Sequence, residues 1–349
     1  MNLRRFLAQH WTSLAVLAGL LLFPFALAVL TGQPVDSGTP KFWQGMLVQV
    51  FILAVYALSY DLLMGYTGIL SFGHAMFFGA GAYTAGILIM HAGWPLWQVI
   101  LAVIGVALAQ SLVIGVVSLR VRGVYFAMVT LAFAQMFFIL AEASDFRQWT
   151  GAEDGLHGIK VPAWMSPTDE RLRFYFISLA FVVILYLIAR RVVASPVGKV
   201  WVAIRENEPR AQMLGYNTFV YKLFAMALAG VLAGLAGMLN ALWNLNANPS
   251  MVSVTVTINA LLMTIIGGMG TLSGAMLGAV FLQLVGYWLN ATFGPIWPML
   301  FGLLFILIVM FLPYGLVGTW RLRGGEWRRI WGERLTRWFS PRQPDQPAR

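Results

Sequence analysis

The sequence predicts an all-α polytopic membrane protein, and three observations carry that fold class. First, 60% of its 349 residues are hydrophobic and only 10% are charged. Soluble domains carry about 45–50% apolar and about 25% charged residues, so too few charges are present here to solvate a globular surface. Second, ten apolar runs approach the roughly 20 residues that a bilayer-crossing helix needs. They cover 13–31, 43–62, 69–91, 95–118, 123–141, 174–189, 223–245, 251–268, 272–292 and 296–318. Third, the net charge of +10 is unevenly placed along the chain. With the N-terminus inside, the inner segments hold eighteen basic and six acidic residues (+12), and the outer ones five basic and seven acidic (−2). Cytoplasmic enrichment of Lys and Arg orients membrane proteins, so both ends are expected inside. A nucleic-acid surface, which needs basic residues gathered on one solvated face, does not fit this distribution. The lack of cysteine rules out disulfides, thiolate metal sites and a cysteine nucleophile.

The first run follows Arg4 and Arg5 and contains Ala26-Leu27-Ala28, so a cleaved secretory signal competes with a retained helix. Its length and the span that follows favour the retained helix. Residues 142–173, rich in acids, glycine and proline, form an outer loop suited to a lid or docking surface. Residues 190–222 form the one long inner loop between spans; Asn207 or Glu208 can cap a helix with Pro209 in its first turn and Gly215 at its end. In the tail 321–349, Trp327, Ile330, Trp331, Leu335, Trp338 and Phe339 recur at helical spacing between arginines. That pattern predicts an interfacial helix over 325–339, apolar side on membrane lipid.

The spans are poor in chemistry. His74 and His91 are their only interior ionisable residues, with Asp61 and Glu142 at span ends. Ion-coupled carriers need buried carboxylates or histidine relays, and no such cluster is present. No phosphate-binding Gly-x-x-x-x-Gly-Lys-Ser/Thr motif occurs. Ser71 and His74 lie three apart, but nothing in the sequence orients them as a catalytic pair. No catalytic and no metal residues are assigned. The polar side chains are hydroxyls and amides: Thr67, Ser71, Asn240, Asn244, Asn246, Asn259 and Gln283. Each suits either a helix–helix hydrogen bond or a path for a neutral or zwitterionic solute.

Two glycine-rich stretches, Gly65–His74 and Gly267–Gly274, occupy corresponding places in the two halves and suggest an internal repeat. Tight turns are one reading. Broken helices at membrane depth, which offer free N–H and C=O groups to a solute, are the other. A re-entrant 65–75 would shift the neighbouring span boundaries. The substrate-path candidates are therefore Gly65, Thr67, Gly68, Ser71, His74, Asn240, Asn244, Gly267, Gly268 and Gly270.

GYTGILSFGHAMFFGAGAYTAGIL (65–88) and AIRENEPRAQMLGYNTFVYKLFAMALAGVLAGLAGML (203–239) resemble one family, the LivM-type permease subunits of branched-chain amino acid ABC importers. TGAEDGLHGI (150–159), GGMGTLSGAMLGA (267–279) and LPYGLVG (312–318) resemble its remaining motifs. Ala152 stands where the family usually has glycine, Ala275 where proline is common, and Tyr314 where a charged residue is frequent. The resemblance implies a type II-like importer permease domain over 1–320, in the bacterial inner membrane. It implies a homologous LivH-type permease, two cytoplasmic ATPases and a periplasmic solute-binding protein as partners. No cofactor is implied in this chain, since ATP and magnesium would be used by the ATPases. Arg205, Glu206, Asn207, Glu208 and Arg210 would face the ATPase, with Gly215 ending the coupling helix. Branched-chain amino acids are the implied solutes; an ATP-independent carrier or channel for urea or amides is the alternative.

Overall fold

The computed structural model describes residues 3–312 and 314–320, with side chains from Leu14 onward. The predicted interfacial helix 325–339 lies outside the described residues. The helices are α1 (Leu3–Thr31), α2 (Gly38–Asp61), α3 (Ala75–His91), α4 (Leu96–Ser118), α5 (Val124–Glu142), α6 (Arg147–Thr150), α7 (Arg171–Val193), α8 (Pro196–Met213), α9 (Thr218–Asn244), α10 (Val254–Gly267), α11 (Ser273–Phe293) and α12 (Trp297–Phe311), and residues 315–320 are helical as well.

Each apolar run holds a helix, but only seven helical stretches among the described residues are long and apolar enough to cross a membrane, with α11 and α12 in one such stretch. The helices in runs 69–91 and 251–268 are shorter than the sequence predicts. At 17 and 14 residues, α3 and α10 extend only about 26 and 21 Å at 1.5 Å per residue. Both are shortened by non-helical backbone. A π-turn (Leu62–Tyr66) and an irregular segment, 67–74, precede α3. A turn over 268–272 follows α10.

Helix α9 packs against α2, α3 and α4, and α2 also meets α7, α10 and α11. Most of α2 is buried inside the protein, whereas α1 and the α11–α12 stretch leave most of their apolar surface outward. Lipid tails are as apolar as leucine, so these helices must associate through close packing rather than hydrophobic exclusion. Glycine supplies the closeness. A Cβ at Gly81 of α3 would enter the Gly234 carbonyl of α9, and one at Gly237 would enter the Phe78 carbonyl.

Beyond the C-terminal end of α9, β1 (Leu156–His157) pairs antiparallel with β2 (Asn246–Ala247), Leu156 opposite Ala247. The Leu245 carbonyl also accepts from the N–H groups of Gly158 and Ile159, at 2.9 and 3.1 Å. The 142–173 loop is thereby strapped over the end of α9. Ala152, in the 142–173 loop, adopts φ +54°, the left-handed region that favours glycine. Helix α8 opens after Ser195 with Pro196 at its first position, where proline's missing N–H costs no hydrogen bond. Its buried Trp201 donates from Nε1 to the Tyr221 carbonyl at 2.9 Å, fastening α8 across the foot of α9.

Replacing Gly237 by alanine should force α3 from α9 and cost about 1–3 kcal/mol. Unfolding in mixed micelles should show a lowered midpoint, and an unchanged midpoint would remove this contact from the packing argument.

Candidate functional site

The two glycine-rich stretches meet. Asp61, the last residue of α2 and fully buried, accepts from the Gly270 N–H at 2.7 Å through Oδ1 and from the Leu272 N–H at 2.9 Å through Oδ2. These donors converge because Gly268, Gly270 and Leu272 all have positive φ, which turns successive N–H groups toward one point. A Cβ at Gly65 would strike the Asp61 carboxylate and the Gly270 nitrogen. Sequence reasoning treated Asp61 only as a charge at a span end. The available signal was an ionisable residue in an apolar helix, four positions before a glycine turn.

The 67–74 segment satisfies its own polar backbone. The Ile69 N–H donates to the Leu63 carbonyl at 3.0 Å, and the Phe72 N–H to Thr130 Oγ1 of α5 at 3.3 Å. Gly73 donates to Ser71 Oγ at 3.3 Å and Ala75 to Thr257 Oγ1 of α10 at 2.9 Å. Backbone at membrane depth persists only with such partners. Ser71 therefore serves the break itself, and Thr67 donates to the Leu63 carbonyl at 2.5 Å. His74 is buried beside Tyr56, Tyr60 and Phe77. Ser59 gives its hydroxyl proton to the Tyr56 carbonyl at 2.6 Å, so it accepts from His74 Nε2 at 2.8 Å. Ser71 and His74 do not meet as a nucleophile and base. Gly267 packs on the Gly274 carbonyl, while Gly268 faces the Tyr314 carbonyl and the Gly318 nitrogen.

Asn240 and Asn244 lie elsewhere, in a recess of about 360 Å³ between α2, α9 and α10. Asn244 donates to Asn240 Oδ1 at 3.0 Å. Gln49, Asn246, Asn248 and Asn259 complete six carboxamides around it, and no charged side chain lines it. Leu53, Phe78, Met251, Val256 and Met263 form its apolar wall. Such a recess can hold a solute bearing both donors and acceptors beside an apolar group. Gln49 and Asn248 were missed from sequence, although asparagine at 244, 246 and 248 keeps the period-two spacing of extended chain.

A second recess, about 800 Å³, opens between α8, the α4–α5 turn and residues 67–72. Helix α8 breaks at Asn207 (φ −160°, ψ 94°). The Asn207 side chain accepts from the Arg210 N–H at 2.9 Å, so Asn207 is the cap of the second half. Gly215, at φ +87°, follows its end. Glu206, Asn207 and Arg210 are exposed. Glu208 turns inward, accepting from Lys222 Nζ at 2.6 Å and Thr218 Oγ1 at 3.1 Å. Burial raises the Glu208 pKa, but Lys222, Thr218 and the nearby charge of Arg122 outweigh it and hold the carboxyl below its ordinary range. Arg205 is exposed as well, and its Nη1 donates to the Gly65 carbonyl.

The family described as branched-chain amino acid transport system / permease component matches residues 43–310. The high-affinity branched-chain amino acid transport system permease protein LivM of Salmonella typhimurium is 27% identical over 290 residues, 76% of this chain and 68% of its own. A probable branched-chain amino acid transport permease protein LivM of Methanocaldococcus jannaschii is 27% identical over 305 residues, covering 80% and 86%. A probable LivH permease protein of the same organism is 30% identical over 165 residues, covering 43% of this chain and 48% of its own. No solved structure matches.

Because the Glu208 pKa is depressed, its bond to Lys222 is complete above the ordinary glutamate value of 4.5 and is lost as pH falls below it. Hydrogen exchange over 208–222, measured relative to the intrinsic amide rate at each pH, should accelerate on acidification through that range. Glu208→Gln should accelerate it already at pH 7, by about 1 kcal/mol of opening free energy.

Proposed function

The chain belongs to the family of permease components of branched-chain amino acid transport systems, and we propose that it forms, with a homologous permease, an ATP-driven path for amino-acid uptake. It is a multi-pass inner-membrane protein. The single observation that carries the choice of solute is the charge-free recess of six carboxamides beside an apolar wall. An α-amino group can donate to carboxamide oxygens and an α-carboxylate can accept from carboxamide nitrogens. A branched apolar side chain then meets Leu53, Met251, Val256 and Met263. Neutral groups suit a solute that must leave again, since no fixed charge holds it.

Two ATPases docking on the exposed half of α8, and a periplasmic binding protein at the outer loop, supply energy and solute. ATP binding closes the ATPases, moves α8 and switches the paired permeases between outward- and inward-facing states. Ten crossings with both ends inside fit the charge asymmetry, the short helices α3 and α10 completing their crossings with the adjoining irregular backbone. The meeting of the two glycine-rich breaks supports an internal repeat.

Topology is directly testable because the chain contains no cysteine. Glu153→Cys should react with an impermeant maleimide from outside, and Met213→Cys only after the inner face is opened. The reverse pattern would overturn the orientation. For function, proteoliposomes holding both permeases, the ATPases and the binding protein should accumulate leucine with ATP. Asn240→Leu with Asn244→Leu should cut that rate by about tenfold or more, as expected when partners of a bound polar solute are removed. Uptake of urea or leucine by this chain alone, without ATPases, would instead establish a secondary carrier or channel.

A further inference from the structure

We infer that Arg205 and Asp61 are positioning residues that join the cytoplasmic helix α8 to both glycine-rich breaks, so that movement of α8 is passed to the backbone of the solute path. The inference rests on the importer reading above, and it concerns how force enters the membrane domain.

Four contacts place the joint. The Gly65 carbonyl is left without its helical partner, because the Ile69 N–H that would reach it is bonded to Leu63 across the π-turn. Arg205 fills that vacancy from α8. Its guanidinium also lies against the second break: a Cβ at Gly270 would stand 2.9 Å from Nη1 and 3.0 Å from the Gly65 carbonyl. The stem of Arg205 lies on Gly68, where a Cβ would come within 2.9 Å of Cγ. Gly68 has φ +73°, so both its conformation and its proximity to α8 favour glycine. From the other side Asp61 holds Gly270 and Leu272 through both carboxylate oxygens.

Arg205 and Asp61 form no direct ion pair; the backbone of Gly65 and Gly270 lies between them. One arginine on a peripheral helix thus touches the end of α2 and the α10–α11 turn together, while Asp61 keeps those two in register. Asp61 is fully buried, so it cannot contact an ATPase. That separates a transmission role from a docking role. π-turns within helices recur at functional sites and provide a local place for backbone adjustment.

The test uses the whole importer in proteoliposomes and reads solute transported per ATP hydrolysed, with subunit recovery measured on the same samples. Arg205→Ala and Asp61→Asn should each lower that ratio by about 2- to 30-fold, the range of substitutions along coupling networks. The ATPases should stay bound. The double variant should be no worse than the poorer single one, because both act on one joint. Arg205→Lys, which retains a donor for the Gly65 carbonyl, should recover part of the ratio. Loss of bound ATPases with the ratio intact would make Arg205 a docking residue and overturn the inference, as would additive losses. If Asp61→Asn fails to insert, the Arg205→Ala and Arg205→Lys pair still decides. ATP-dependent wild-type uptake with unaffected variants overturns the joint alone. ATP-independent wild-type uptake overturns the importer reading together with it.

Discussion

The carboxylate of Asp61 sits where the end of α2 meets the turn between α10 and α11. A bilayer leaves no water to satisfy exposed backbone, so a helix can stop at membrane depth only where protein groups take over its hydrogen bonds. Asp61 does this for the turn after α10, accepting from two of its N–H groups. Thr130, Thr257 and Ser71 do it for the segment before α3. Arg205 does it for the orphan carbonyl of Gly65. With these groups in place, two irregular stretches lie against each other inside the membrane domain.

The same constraint explains the glycines. Broken helices shorten α3 and α10, and short helices need close neighbours to hold them. The α3–α9 contact reaches backbone-to-backbone distance at Gly81, Gly234 and Gly237. A rigid block around α9 results, onto which α8 is fastened by Trp201 and by the Glu208–Lys222 pair. The exposed residues Glu206, Asn207 and Arg210 then project from a helix anchored at both halves.

Much of the fold was legible in the sequence. Apolar runs located helices, and Asn207, Pro209 and Gly215 marked the second half of α8, since caps and left-handed turns depend on local chemistry alone. The two breaks were visible as glycine clusters, but a glycine allows a turn, a close contact or a re-entrant segment equally well. The site was less legible. Asn240 and Asn244 do line a polar recess, whereas Ser71 and His74 are turned to local structural bonds and ring contacts. Gln49, Asn246, Asn248 and Asn259 join the recess from different elements, a convergence no one-dimensional pattern records.

The sequence by itself determined a multi-pass membrane protein from its 60% hydrophobic composition and the charge asymmetry behind its net +10. It also placed the second half of α8 and the two glycine-rich stretches, because hydropathy, charge and capping are local properties of the chain. Only the tertiary structure decided that those stretches touch, that Asp61 binds one to the other, that Arg205 reaches the Gly65 carbonyl and that Glu208 turns to Lys222. Those pairings join residues as far as 211 positions apart. Which distant donor answers a buried acceptor is settled by how the helices pack, and packing is a property of the whole chain.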